Sequence, residues 1–190
     1  MHSDVQKPGG KVERRAGSGK YLTFRLAAEE YGLEILKVQE IIGIMNVTRV
    51  PKMPAFVRGI INLRGKLIPV IDMRAKFGMP HQDDTLKTCI IVVQVVLNTI
   101  KITMGVIVDN VSEVLNIQEN QIEAPPAFGA GIDTEFMLGM GKVGNKVVIL
   151  LDIDRVLTGS EASQILATVA ESAANPEQKD LKTEITAKAG

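Results

Sequence analysis

The chain repeats itself. "YGLEILKVQEIIGI" aligns without a gap on "MGVIVDNVSEVLNI", pairing Gly32 with Gly105 and Glu40 with Glu113, 73 residues apart. "RGIINLRGKLIPVIDMRAKF" aligns on "LGMGKVGNKVVILLDIDRVL", pairing Gly59 with Gly139, Lys66 with Lys146 and Asp72 with Asp152, 80 residues apart. The blocks keep their order in both halves, with a proline-bearing connector between them each time (Pro51 and Pro54; Pro125 and Pro126). A unit this short buries little apolar surface alone, so two copies gain by packing on each other.

Each copy reads as β-rich. "YLTFRLA" alternates at Leu22, Phe24 and Leu26, and "EEYGLEI" at Tyr31, Leu33 and Ile35, with a polar break that predicts a hairpin. "KLIPVIDM", "CIIVVQVV", "IKITMGVIV" and "KVVILLDI" are short β-branched runs, and Ile71, Val92, Val106 and Ile149 are expected in the core. Helical signals are few: turns at "PAFVRG" and "DMRAKFG", and "SEASQILATVAESAA", stopped by the proline after Asn175. The first 17 residues and residues 176–190 offer little apolar surface to offset the entropy of ordering and read as disordered tails.

Composition excludes several function classes. Lys+Arg 22 balances Asp+Glu 22, which lacks the basic surplus of a nucleic-acid binder, so a protein partner is the default. No apolar run approaches the roughly 18 residues of a membrane span, and the N-terminus lacks a signal-peptide core, so no direct membrane insertion is expected. One cysteine, Cys89, opens an apolar run and reads as a buried small hydrophobe in a reducing cytoplasm. "GMGKVG" at 139–144 fits G-x-G-x-x-G, but a strand follows where the dinucleotide motif needs a helix. His2 and His81 have neither metal-ligand spacing nor a neighbouring nucleophile, and Asp152 and Asp154 alternate at a strand end. Catalytic, cofactor and metal residues are all read as none.

The repeat is also an internal control. Features in both copies serve the fold: the hairpin glycine, the lysine opening the last strand, and the aspartate closing it, placed to cap a helical turn. Where the first copy has Asn62, Leu63, Arg64 and Gly65, the second has Lys142, Val143, Gly144 and Asn145. The turn therefore closes without an arginine, and Arg64 stands out as a contact residue whose plain alternative is a solvated turn charge.

"EEYGLEILKVQEI", "VTRVPKMPAFVRGIINLRGKLIPVIDMRAKFG", "MGVIVDNVSEVL" and "VVILLDIDRVL" together resemble the CheW family of chemotaxis coupling proteins over about residues 18–160, including its N-L-R-G signature. The resemblance implies a mainly β fold of two SH3-like five-stranded barrels, the first about 18–80 and the second about 86–152, followed by a C-terminal helix over 161–175. It implies a non-enzymatic cytoplasmic adaptor that joins the cytoplasmic tip of methyl-accepting chemoreceptors, in membrane-associated arrays, to the regulatory domain of the histidine kinase CheA. Receptor tips would dock between the barrels at Val38, Glu40, Gly59, Asn62, Leu63 and Arg64, and the kinase would bind mainly the second copy. A longer coupling protein with a receiver domain needs more residues than follow Ser160. The remaining rival, an enzyme or small-ligand binder on a double barrel, needs an enclosed pocket lined by converging ionisable groups.

Overall fold

The computed structural model describes residues 15–126 and 135–174. The first copy supplies β1 (Gly19–Leu26), β2 (Glu29–Glu34), β3 (Val38–Gly43), β4 (Val57–Leu63) and β5 (Lys66–Asp72), closed by the short helix α1 (Met73–Lys76). The second supplies β6 (Cys89–Leu97), β7 (Ile100–Val108), β8 (Asn110–Ile117), the two-residue β9 (Ile122–Glu123), β10 (Met137–Val143) and β11 (Lys146–Leu151). A 3-10 turn (Ile153–Arg155) and the helix α2 (Gly159–Ala174) follow. The aspartates ending β5 and β11 do cap the turns after them: Asp72 accepts from the Ala75 N–H and Asp152 from the Asp154 N–H.

The copies exchange their first hairpins. One sheet runs β8-β1-β2-β11-β10-β9 and the other β3-β6-β7-β5-β4. Each thus seats the leading hairpin of one copy among the later strands of its twin. The sequence halves 18–80 and 86–152 do not map one to one onto the sheets, and neither sheet closes into a barrel, although each keeps the two-subdomain plan. The joins are parallel, β2 with β11 and β5 with β7. The repeat glycines sit on those joins: a Cβ on Gly32 would lie 3.0 Å from Leu150, and one on Gly105 2.8 Å from Ile90.

The largest core lies between the sheets and includes Phe24, Leu33, Ile71, Val93, Val106, Leu151 and Ile165 of α2. A row of stacked rings, Phe24, Tyr31, Phe77 and Phe136, crosses it with centroids 5.8, 5.8 and 5.0 Å apart. Smaller clusters fill the hollow of each sheet, one around Ile61, Val70, Ile90 and Val92, the other around Tyr21, Ile117 and Leu150. Ile71, Val92 and Val106 are buried, whereas Ile149 is half-buried, because its register partners are Met140 and Tyr31 at the margin of the inter-sheet core. The turn expected at "PAFVRG" is a single hydrogen-bonded turn at Ala55 and Phe56, in which the Val57 N–H donates to Pro54 O at 2.9 Å, and it leads straight into β4 rather than into a helix. The expected N-terminal tail is anchored from residue 15 onward, where the Ala16 N–H donates to Leu138 O at 3.1 Å. The rest of that expectation, residues 1–14, and the C-terminal tail lie outside the described residues.

Candidate functional site: a charged seam across the five-stranded sheet

β3 and β4 are the two outer strands of their sheet, yet the sheet curls until their side chains meet. Arg64 spans the opening with a two-pronged ion pair, Nη1 to Glu40 Oε1 at 2.7 Å and Nη2 to Oε2 at 2.8 Å. A bulge sets Glu40 in place: Val38 pairs with Val93 and Glu40 with Val92, leaving Gln39 as the extra residue. Arg64 itself sits in a tight turn at φ 52°, followed by Gly65 at φ 85°. Two successive positive φ values suit Asn-Gly or Gly-Gly, so an arginine here adopts a backbone that its Cβ disfavours. Its side chain is 75% exposed, against 26% for Glu40. The hydrogen bond to Glu40 pushes the guanidinium pKa further up, so Arg64 stays charged across the physiological range.

The other residues of the expected site divide by role. Asn62 Oδ1 accepts the Gly65 N–H at 2.9 Å and so braces the turn. Leu63 is half-buried against the hollow of the sheet. Val38 packs on the inter-sheet core. Gly59 lies at a second bulge, between Val57 and Gly59 of β4, with φ +142°, and a Cβ there would stand 2.1 Å from Thr48 O. That close approach lets Thr48 and Ile60 exchange two backbone hydrogen bonds of 2.9 and 2.8 Å. Glu40, Asn62, Leu63 and Arg64 therefore form one feature, while Val38 and Gly59 support it from the core and the backbone.

The second copy builds the same seam with different chemistry. Glu113, the counterpart of Glu40, faces Lys146 at 3.5 Å across the edge of the six-stranded sheet. Beside each seam lies uncovered apolar surface: Ile41 and Met45 in the first copy, Val114 and Val147 in the second. Ile41 pairs with buried Ile91, and Val114 with buried Leu22, so both point to the inter-sheet face of their strands, in the case of Ile41 the face opposite Glu40. These residues escaped the sequence reading, although the repeat pairs Ile41 with Val114 and half-buried Leu67 with Val147.

A depression lined by Arg49, Arg58, Asp72, His81, Asp83 and Asp84 does gather ionisable groups, but Arg58 is engaged with Asp72 and Asp84, and His81 lies against Asp83. Among the described residues no group of three or more His, Cys, Asp or Glu is placed to hold a metal ion, and no helix is long and apolar enough to cross a membrane.

A duplicated β-sheet unit whose distinctive side chains form exposed seams has the character of a scaffold. The CheW-like domain model matches residues 20–161. The chemotaxis protein CheW of Klebsiella aerogenes is 40% identical over 149 residues, covering 77% of this chain and 86% of that protein. The chemotaxis protein CheW of Treponema pallidum is 31% identical over 146 residues, covering 76% and 85%. The crystal structure of the scaffolding protein TtCheW from Thermoanaerobacter tengcongensis superposes with a TM-score of 0.67 at 40% identity, covering 76% of this chain and 97% of that one. The chain belongs to the CheW-like family, and like that family it is a non-enzymatic adaptor of chemotaxis signalling.

Proposed function

We propose that this protein is the cytoplasmic adaptor that couples chemoreceptor tips to the histidine kinase CheA, recruited to membrane-associated receptor arrays by those two contacts. The observation that carries this reading is Arg64. It holds a strained, mostly exposed turn position where its twin has glycine, and it forks onto Glu40 beside the uncovered Ile41. A fold-only role would be met by Asn or Gly at less backbone cost. A planar multi-donor cation bonded to an edge strand whose other face exposes Ile41 suits a helical receptor tip that presents both apolar and acidic side chains. The second seam, with Glu113, Lys146, Val114 and Val147, is the corresponding face for the kinase regulatory domain.

Two such faces on one rigid body allow both partners to bind at once, which is what an adaptor requires. The test is a titration of this protein with the CheA regulatory domain and, separately, with a receptor cytoplasmic fragment. Saturation with one should leave binding of the other intact. Strict competition between them, or binding of neither, would overturn the reading.

A further inference from the structure

The chain crosses between the sheets at two equivalent places, and each crossing is fastened by an ion pair of opposite polarity. At the 3-10 turn Ile35–Lys37, between β2 and β3, Lys37 Nζ meets Asp154 Oδ2 at 2.6 Å. Asp154 Oδ1 also accepts the Val96 N–H at 3.0 Å, from the strand that leads into the β6–β7 hairpin turn. At Asp109, between β7 and β8, Arg74 Nε and Nη2 each lie 2.6 Å from the carboxylate. Asp109 Oδ2 also accepts the Ala27 N–H at 2.7 Å, from the β1–β2 turn. None of the four side chains is more than 25% exposed.

The repeat shows that these are one device used twice. The spacing that carries Gly32 onto Gly105 carries Leu36 and Lys37 onto Asp109 and Asn110, and the spacing that carries Asp72 onto Asp152 carries Arg74 onto Asp154. In both cases a crossing in one copy is tied to the turn after the last strand of the other. The signs, however, are reversed. If each copy instead closed on itself, Lys37 would face Arg74 and Asp109 would face Asp154: two cations together at one crossing and two anions at the other, partly shielded from water.

We propose that these four residues encode the strand exchange, by rewarding at both crossings the arrangement in which each hairpin joins its twin and penalising at both the arrangement in which each copy closes on itself. The alternative is real because the copies share apolar pattern, strand order and junction glycines, so packing alone discriminates weakly between them. The crossings also differ in length, a three-residue turn at Ile35–Lys37 against the single residue Asp109, but charge is the difference that acts through the contact between copies.

The test is disulfide trapping in the full-length chain carrying Cys89→Ser. Lys20 faces Asn116 in the exchanged arrangement. It would face Gly43, 73 residues before Asn116, in the self-closed one, and all three positions are exposed. The chain is refolded under oxidation with either Lys20→Cys and Asn116→Cys or Lys20→Cys and Gly43→Cys, and monomeric cross-linked product is measured. With the natural charges the 20–116 link should dominate. With Lys37→Glu and Asp109→Lys the ratio of 20–43 to 20–116 should rise at least tenfold, and with Lys37→Gln and Asp109→Asn it should lie between. Adding Arg74→Glu and Asp154→Lys to the reversed chain restores attraction only in the exchanged arrangement and should bring back the 20–116 link. The same partition in every charge set would overturn the proposal. So would a fourfold reversal that fails to form the 20–116 link while the neutral variant forms it.

Discussion

Gly59→Ala tests whether the seam depends on backbone approach as closely as its geometry implies. The methyl group would stand 2.1 Å from Thr48 O, where a carbon and a carbonyl oxygen settle near about 3.3 Å. The carbonyl must therefore retreat by roughly 1 Å, which breaks the two hydrogen bonds between Thr48 and Ile60 at about 0.5–1.5 kcal/mol each. Holding a side-chain-bearing residue at φ +142° adds about 1–3 kcal/mol, for a total of about 2–6 kcal/mol. The twin position is an internal control. At Gly139 the new methyl would be 2.8 Å from Glu123 O, and the backbone there is not in the positive-φ range, so Gly139→Ala should cost less than half as much. Urea unfolding of both variants gives the two numbers. A Gly59→Ala variant within about 1 kcal/mol of the parent, or less damaged than Gly139→Ala, would refute the reasoning.

Arg64→Asn should leave the melting temperature unchanged or raise it, because Asn tolerates positive φ; a fall of more than about 4 °C would make the ion pair with Glu40 structural. Ile71→Ala removes a fully buried side chain of the inter-sheet core and should cost about 2–5 kcal/mol in urea unfolding. Burial pushes the Asp109 carboxyl up, but hydrogen bonds from Arg74 and the Ala27 N–H prevail and hold it below the usual range; at Glu161 burial is likewise outweighed by Lys76 and Thr158. A lowered folded pKa gives stability that is present above the unfolded value of about 4 and is lost as pH falls through the folded one. The melting temperature should therefore drop on acidification below about pH 4, with a shallower acid limb in Asp109→Asn.

The positions of β1, β2, β5, β6, β7 and β11, the hairpin of β1 and β2, both capping aspartates and the duplication were legible because each is written in local alternation, in β-branched runs or in self-alignment. The exchange of hairpins was not. Alternation tells which face of a strand is buried but not which strand lies beside it, and two copies with the same pattern are interchangeable partners by that criterion. Arg64 was legible as the odd residue of its turn. What periodicity could not supply was the curl that brings β3 and β4, four strands apart in sheet order, within reach of one side chain. The second seam was hidden for a related reason: Gly144 takes Arg64's place in the repeat, and the cation comes from Lys146, two residues on.

Under the proposed function, this adaptor transmits receptor state to a kinase through the Arg64–Glu40 face. The direct measurement is phosphorylation by CheA in membranes containing a chemoreceptor, with and without this protein, comparing the parent chain with Arg64→Asn. The parent should raise kinase activity well above that of receptor and kinase alone, and attractant should suppress it. The folded Arg64→Asn variant should restore little of that activity. Kinase activity that is unaffected by the parent chain, or raised equally by both chains, would contradict the account.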